Sequence, residues 1–286
     1  MGVQGSGERR RLRSGIGACI AIAMLAALGL AVASGLGSEH AATQSVEVTL
    51  TRDATTVSGA DALAAGLTKV TARNTGTAPT DFLLARLRPG KTFADLQAAL
   101  QRNSQLPEGI MVLPTSFFAI APGQSFVTTL KLPPGDYVVM QPPRGRGIGP
   151  SAQFSIANGA AGGTPPPSAG PVVLYDYGVT APKSISGRGT LAINNIGLNY
   201  HFLLGIRLNR GVNADKVVAD LRAGTGSGPP PGEFVTIIGV VAPGSINYVK
   251  TNLKPGNYVL VCFNADRHSA GRDHARFGME RKVIVR

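Results

Sequence analysis

Leu132-Pro133-Pro134-Gly135-Asp136-Tyr137 and Leu253-Lys254-Pro255-Gly256-Asn257-Tyr258 are the same phrase written twice, 121 residues apart. Two further pairs fall in that register. Asn74-Thr75-Gly76, with Arg86-Leu87 and Gly90, recurs as Asn195-Ile196-Gly197, with Arg207-Leu208 and Gly211. Ala121-Pro122-Gly123 recurs as Ala242-Pro243-Gly244. Three separated motifs sharing one gapless offset imply an internal duplication. Between the copies, residues 159–170 (Gly, Ala, Thr, Pro and Ser) lack apolar periodicity and read as a linker. One copy then covers 46–158 and the other 171–286.

Each copy reads as short strands broken by turns. In the first copy they are expected near 46–50, 67–73, 82–87, 117–120, 125–130, 137–140 and 153–156. The second copy repeats the set, ending in strands at 258–263 and 282–285. One helix interrupts each copy. In 92–101, Phe93, Leu96 and Leu100 share a face, with Thr92 as N-cap; 213–221, carrying Val217, Val218 and Leu221, is the counterpart. Seven short strands with polar turns predict an all-β chain of two tandem Greek-key β-sandwiches, each with one short helix. The 37 glycines and 20 prolines suit such turns.

The first 37 residues read as a signal peptide or an N-terminal membrane anchor. Arg9, Arg10, Arg11 and Arg13 precede an apolar run from Gly15 to Ala33, and Ala31-Val32-Ala33 offers a small-residue cleavage site. The chain is therefore expected outside the cytoplasm, secreted or held at the cell envelope, with any membrane contact made through that segment alone. Cleavage would remove Cys19 and leave Cys262 as the one thiol, so no internal disulfide could form. A formal net charge of +12 favours anionic partners, such as an acidic envelope polymer or an acidic protein. Nucleic acid is a poor fit, because tryptophan and every nucleic-acid motif are missing. Arg144 and Arg146 in one final loop, and Arg267, Arg272 and Arg276 in the other, are the candidate contacts for an anionic partner.

No nucleophile elbow, phosphate loop or His-Glu-x-x-His stands in the chain, and the carboxylates are scattered, so no enzymatic reaction is expected. The second copy instead holds His201, Cys262, His268, His274 and Met279. Asn195-Ile196-Gly197 leads to His201, Tyr258-Val259-Leu260-Val261-Cys262 ends a late strand, and His274 to Met279 precedes the last strand. In that order the chain resembles the cupredoxin (blue copper) family.

The resemblance implies one mononuclear copper in the second copy, serving electron transfer with a redox partner protein or copper handling. His201, Cys262 and His274 would be equatorial ligands and Met279 axial. Thiolate and imidazole donors suit copper. Blue copper proteins place the loop histidine a few residues after the cysteine. Here eleven residues separate Cys262 from His274 and five separate it from His268; the His274-to-Met279 spacing favours His274. At the 121-residue offset His201 corresponds to Thr80 and Cys262 to Gln141, so the fold does not require His or Cys at those places. A multicopper oxidase is excluded, since four histidines, none paired as His-x-His, cannot hold a coupled copper cluster. The alternative is a metal-free envelope protein that binds partners through the sandwich and its basic loops.

Overall fold

The computed structural model describes residues 43–102, 107–142, 147–225, 231–266 and 268–286. The N-terminal segment, Arg144, Arg146 and Arg267 lie outside them. Among the described residues no helix is long and apolar enough to cross a membrane.

The first half contains β1 (Gln44–Leu50), β2 (Thr55–Ser58), β3 (Ala64–Asn74), β4 (Thr80–Leu87), helix α1 (Phe93–Arg102), β5 (Met111–Ile120), β6 (Ser125–Leu132), β7 (Gly135–Met140) and β8 (Ser151–Ala161). The second contains β9 (Pro171–Tyr175), β10 (Gly178–Thr180), β11 (Ser184–Ile185), β12 (Arg188–Asn195), β13 (His201–Leu208), α2 (Ala214–Ala223), β14 (Gly232–Val241), β15 (Ile246–Asn252), β16 (Gly256–Val261), a 3-10 turn (His274–Phe277) and β17 (Glu280–Val285). β4 and β13, α1 and α2, β5 and β14, and β7 and β16 stand 121 residues apart at both ends.

The fold is all-β and sandwich-like. In the first half β2-β1-β3-β6 form one layer and β8-β7-β4-β5 the other; in the second, β10-β9-β12-β15 face β11-β17-β16-β13-β14. The helices lie outside the sandwiches. Leu96 and Leu100 of α1 pack with Ala85, Val138 and Met111, and Val217 of α2 packs with Ile206, Val259 and Val261. A strand so covered is buried on both faces, which is why β7 and β16 read as continuous apolar runs. Thr92 caps α1 as expected, in a reciprocal pair with Asp95, and Asn213 caps α2 instead of beginning it.

The repeated phrases are structural devices. Gly135 and Gly256 sit at φ 138° and 151°, where a side chain would strain the backbone. The Tyr137 and Tyr258 hydroxyls donate to the carbonyls of Pro133 and Lys254, fastening each corner from inside the core. Asn74 and Asn195, both buried, each donate to two carbonyls and accept from Gly76 or Gly197.

Three sequence expectations need correction. β8 continues to Ala161 because Gly66 pairs with it, so the connecting segment starts at 162 instead of 159. The short strands β2, β10 and β11 raise each half above seven strands; they are edge pieces with too few residues to show alternation. The two sandwiches also share a sheet, since β6 and β15 pair antiparallel from Thr128↔Val249 to Leu130↔Asn247. Thr128 and Val249 are equivalent positions in the repeat, so equivalent edges meet as they would in a twofold dimer.

Candidate metal centre

Period-two alternation sends Tyr258, Leu260 and Cys262 into the sandwich interior while Val259 and Val261 face α2. Cys262, one residue beyond β16, is thereby aimed at the end of the core. The Cys262 N–H donates to the Met279 carbonyl at 3.2 Å, and Met279 N–H donates to the His274 carbonyl at 3.2 Å. His201 opens β13 beside a β-bulge between His201 and Leu203, a device that re-aims side chains. His201, Cys262, His274 and Met279 are all fully buried.

The eleven-residue spacing is resolved by the loop itself. Ala265 bridges to Asp273, and His274 N–H donates to the Asn264 carbonyl at 2.8 Å. The described residues between 265 and 273 therefore lie outside the bridge, and the chain delivers His274 as if the loop were short. The Asp266 carboxylate accepts from the His268 and Ser269 N–H groups at 2.8 Å each. His268 is exposed there and is not in the buried group.

One donor atom from each of His201, Cys262 and His274 lies within 4.8 Å of the others. The two Nδ1 atoms are 3.1 Å apart, and Cys262 Sγ is 3.8 Å from His274 Nδ1. Donors sharing one ion at roughly 2.0–2.3 Å stand about 3.3–3.8 Å from one another, so small side-chain shifts would bring this set to metal-binding distances. The outer ring atoms are held as well. His201 Nε2 faces Asp176 Oδ1 at 3.2 Å, and His274 Nε2 faces Asp266 Oδ2 at 3.0 Å. Such carboxylates fix the tautomer with the proton on Nε2 and leave both Nδ1 lone pairs pointing inward.

Electrostatics agree with that arrangement. Burial, only partly opposed by the hydrogen bond to Asp176, lowers the His201 pKa and keeps the ring neutral. Burial pushes the Cys262 thiol up to about 12, so its proton leaves only when a cation replaces it. Burial alone would raise Asp176 and Asp266. N–H donors, from Leu198 and Asn199 to one and from Ser269 and His268 to the other, together with the facing histidines bring both below the usual carboxylate range.

Sequence reasoning missed Asp176, Asp266 and Tyr177. Tyr177, at φ 65°, sets its ring edge-on to His274 with centroids 5.1 Å apart and also packs on Phe277. Gly197 is required by close approach: a Cβ there would lie 2.5 Å from Asp176 Oδ1 and 3.0 Å from His201 Nε2. The Asn-x-Gly stretch marked this place, although its asparagine serves the turn in both halves. Of the candidate arginines, Arg272 lies over the Phe277 ring, 4.5 Å from its centroid, and Arg276 donates to the Gly224 carbonyl.

No family model and no curated protein matches the chain. Among solved structures it is similar to an auracyanin from the photosynthetic bacterium Roseiflexus castenholzii, with 19% identity, 41% of this chain and 98% of that one covered, and a TM-score of 0.28. It is also similar to a multicopper oxidase at 12% identity, covering 85% of this chain and 88% of that one, with a TM-score of 0.24. A copper-containing nitrite reductase from Thermus scotoductus gives 12% identity, 85% and 61% coverage, and a TM-score of 0.24.

Proposed function

We propose that the chain is an exported, non-enzymatic cupredoxin-type protein, made of two copies of one domain, whose second copy binds one copper ion for electron transfer or copper handling. The observation that carries this is the pair of facing Nδ1 atoms. With both Nε2 protons given to carboxylates, two lone pairs stand 3.1 Å apart in a dry site, an arrangement that needs a cation between them. The neighbouring sulfur of Cys262 favours copper as that cation.

Bound copper supplies a one-electron change between two oxidation states. His201 and His274 would provide nitrogen donors and Cys262 a sulfur donor, with buried Met279 offering a thioether. Asp176 and Asp266 hold the rings, and complete burial keeps out water and substrates, which supports a carrier over an enzyme. The basic N-terminus followed by the run from Gly15 to Ala33 supports export to the cell envelope. Arg272 and Arg276, exposed beside the site, support an anionic partner, either a redox protein or an envelope polymer.

The test is Cu(II) addition to the reduced protein with visible absorption recorded. An intense thiolate-to-copper band should saturate at one copper per chain, vanish in Cys262→Ser and persist in His268→Ala. A folded, reduced protein that stays colourless would favour the metal-free reading.

A further inference from the structure

A second site lies at the other end of the first half. Arg86 stands six residues along β4 from Thr80, roughly 20 Å from the pole where a metal would sit. It shares a cleft of about 410 Å³ with Arg88, Lys91 and Asp136. A second cleft of about 480 Å³ also has Arg86 on its wall, adds Lys131 and runs against Tyr248 of the other half. The guanidinium thus stands between two openings that together hold four cations and one carboxylate.

The repeat supplies the control. In the second half Arg207 occupies the position of Arg86, and there Glu233 neutralises it at 3.4 Å and also approaches Lys254 at 3.9 Å. The residue equivalent to Glu233 is Val112, and Arg86 has no ion-pair partner among the described residues. Asn209, Val212 and Asn257 replace Arg88, Lys91 and Asp136, so the two cations that flank Arg86 in its cleft are not repeated around Arg207. Asp136, which accepts from Ser155 Oγ at 2.6 Å on the neighbouring strand, offsets one of these charges, and Arg86, Arg88 and Lys91 leave the cleft net positive. Arg86 is half-buried, and a Cβ added at Gly135 would meet its stem at 3.8 Å, so the stem runs past that glycine.

We infer that this cleft binds a phosphate group, with Arg86 as the bidentate anchor and Arg88 and Lys91 as point charges. A planar guanidinium matches two phosphate oxygens, and three cations lining one cleft, Arg88 also donating from Nε to the Glu108 carbonyl, favour a dianion over a single carboxylate. The second opening, with Lys131, suits a second phosphate on the same ligand. The inference is independent of copper.

The source can be a soluble phosphate or a phospholipid headgroup, and the experiment separates them. The full-length protein is titrated at low salt with inorganic phosphate and pyrophosphate by calorimetry, and in parallel sedimented with phosphatidylglycerol or phosphatidylcholine vesicles. Saturable binding to the soluble anions, pyrophosphate the tighter, assigns a free phosphate ligand; binding only to phosphatidylglycerol vesicles assigns a headgroup. Arg86→Gln should weaken whichever binding is seen by at least about tenfold, and exposed Lys91→Gln by several-fold, whereas the already neutralised Arg207→Gln should leave it unchanged. No saturable binding in either arm, or equal losses in Arg86→Gln and Arg207→Gln, would overturn the inference.

Discussion

The two halves end in poles that share a backbone and differ in chemistry. In the first, Gln141 stands where the second has Cys262, Thr80 where it has His201, and Pro150 where it has Met279. Gln141 N–H donates to the Pro150 carbonyl at 3.0 Å, as Cys262 N–H does to Met279. The Gln141 amide then fills the pole. Its Nε2 reaches the carbonyls of Thr51 and Ala54 and Thr55 Oγ1 within 3.1 Å, and its Oε1 accepts from Thr80 at 2.6 Å. The side-chain polar atoms of Gln141, Thr80 and Thr55 are all satisfied by protein. In the second pole the carboxylates satisfy the outer ring atoms, and the three inner donors face one another. One scaffold therefore has two ways to close its end: a hydrogen-bonded plug or a donor set that needs a cation.

Substitutions at equivalent positions should separate the poles most sharply at the cysteine. Cys262→Ser is expected to lower copper affinity at least about a thousandfold, or ~4 kcal/mol, while Gln141→Leu leaves it unchanged. Chelator competition measures both, and a loss under tenfold for Cys262→Ser would merge the two poles.

Gln141→Leu acts on the fold instead. It strands the Thr80 hydroxyl and the Thr51 carbonyl, while the Ala54 carbonyl keeps Thr51 N–H, and should cost about 2 kcal/mol in urea unfolding. A cost near zero would mean that water, and not the amide, satisfies that pole.

Asp176→Ala and Asp266→Ala should each reduce copper affinity about 10–100-fold by freeing one imidazole, whereas Arg52→Ala, the counterpart of Asp176 in the first half, should have no effect. Unchanged affinity in both aspartate variants would show that packing alone orients the rings.

The smallest effect concerns α2. Arg222 binds Glu280, whose side chain is only 2% exposed, next to Met279; the first half has Gln101 and Ser151 instead. Since Arg222 is itself 59% exposed, screening limits the loss in Arg222→Met to about 1–2 kcal/mol, with Gln101→Met near zero. Urea denaturation of the two variants side by side gives the comparison.

The repeat made much of this legible before any coordinates. Subtracting one half from the other removes what the fold needs, such as Asn195 and Tyr258, and leaves His201, Cys262, His274 and Met279. The aspartates stayed hidden because Asp in a turn is ordinary: Asp266 bonds its own loop, and Asp176 bonds the distant Leu198–Asn199 turn. The reach of His274 was hidden too, since the Ala265–Asp273 bridge shortens a spacing that the linear chain makes look too long. Nor could the shared sheet be read, because pairing between β6 and β15 depends on how the two edges meet.

X-ray absorption at the copper edge, on protein equilibrated with excess copper and then dialysed, tests the contrast most directly. The account predicts one copper per chain, with two nitrogen neighbours near 2.0 Å and one sulfur near 2.2–2.3 Å. A copper surrounded by nitrogen and oxygen alone, or two coppers per chain, would contradict it.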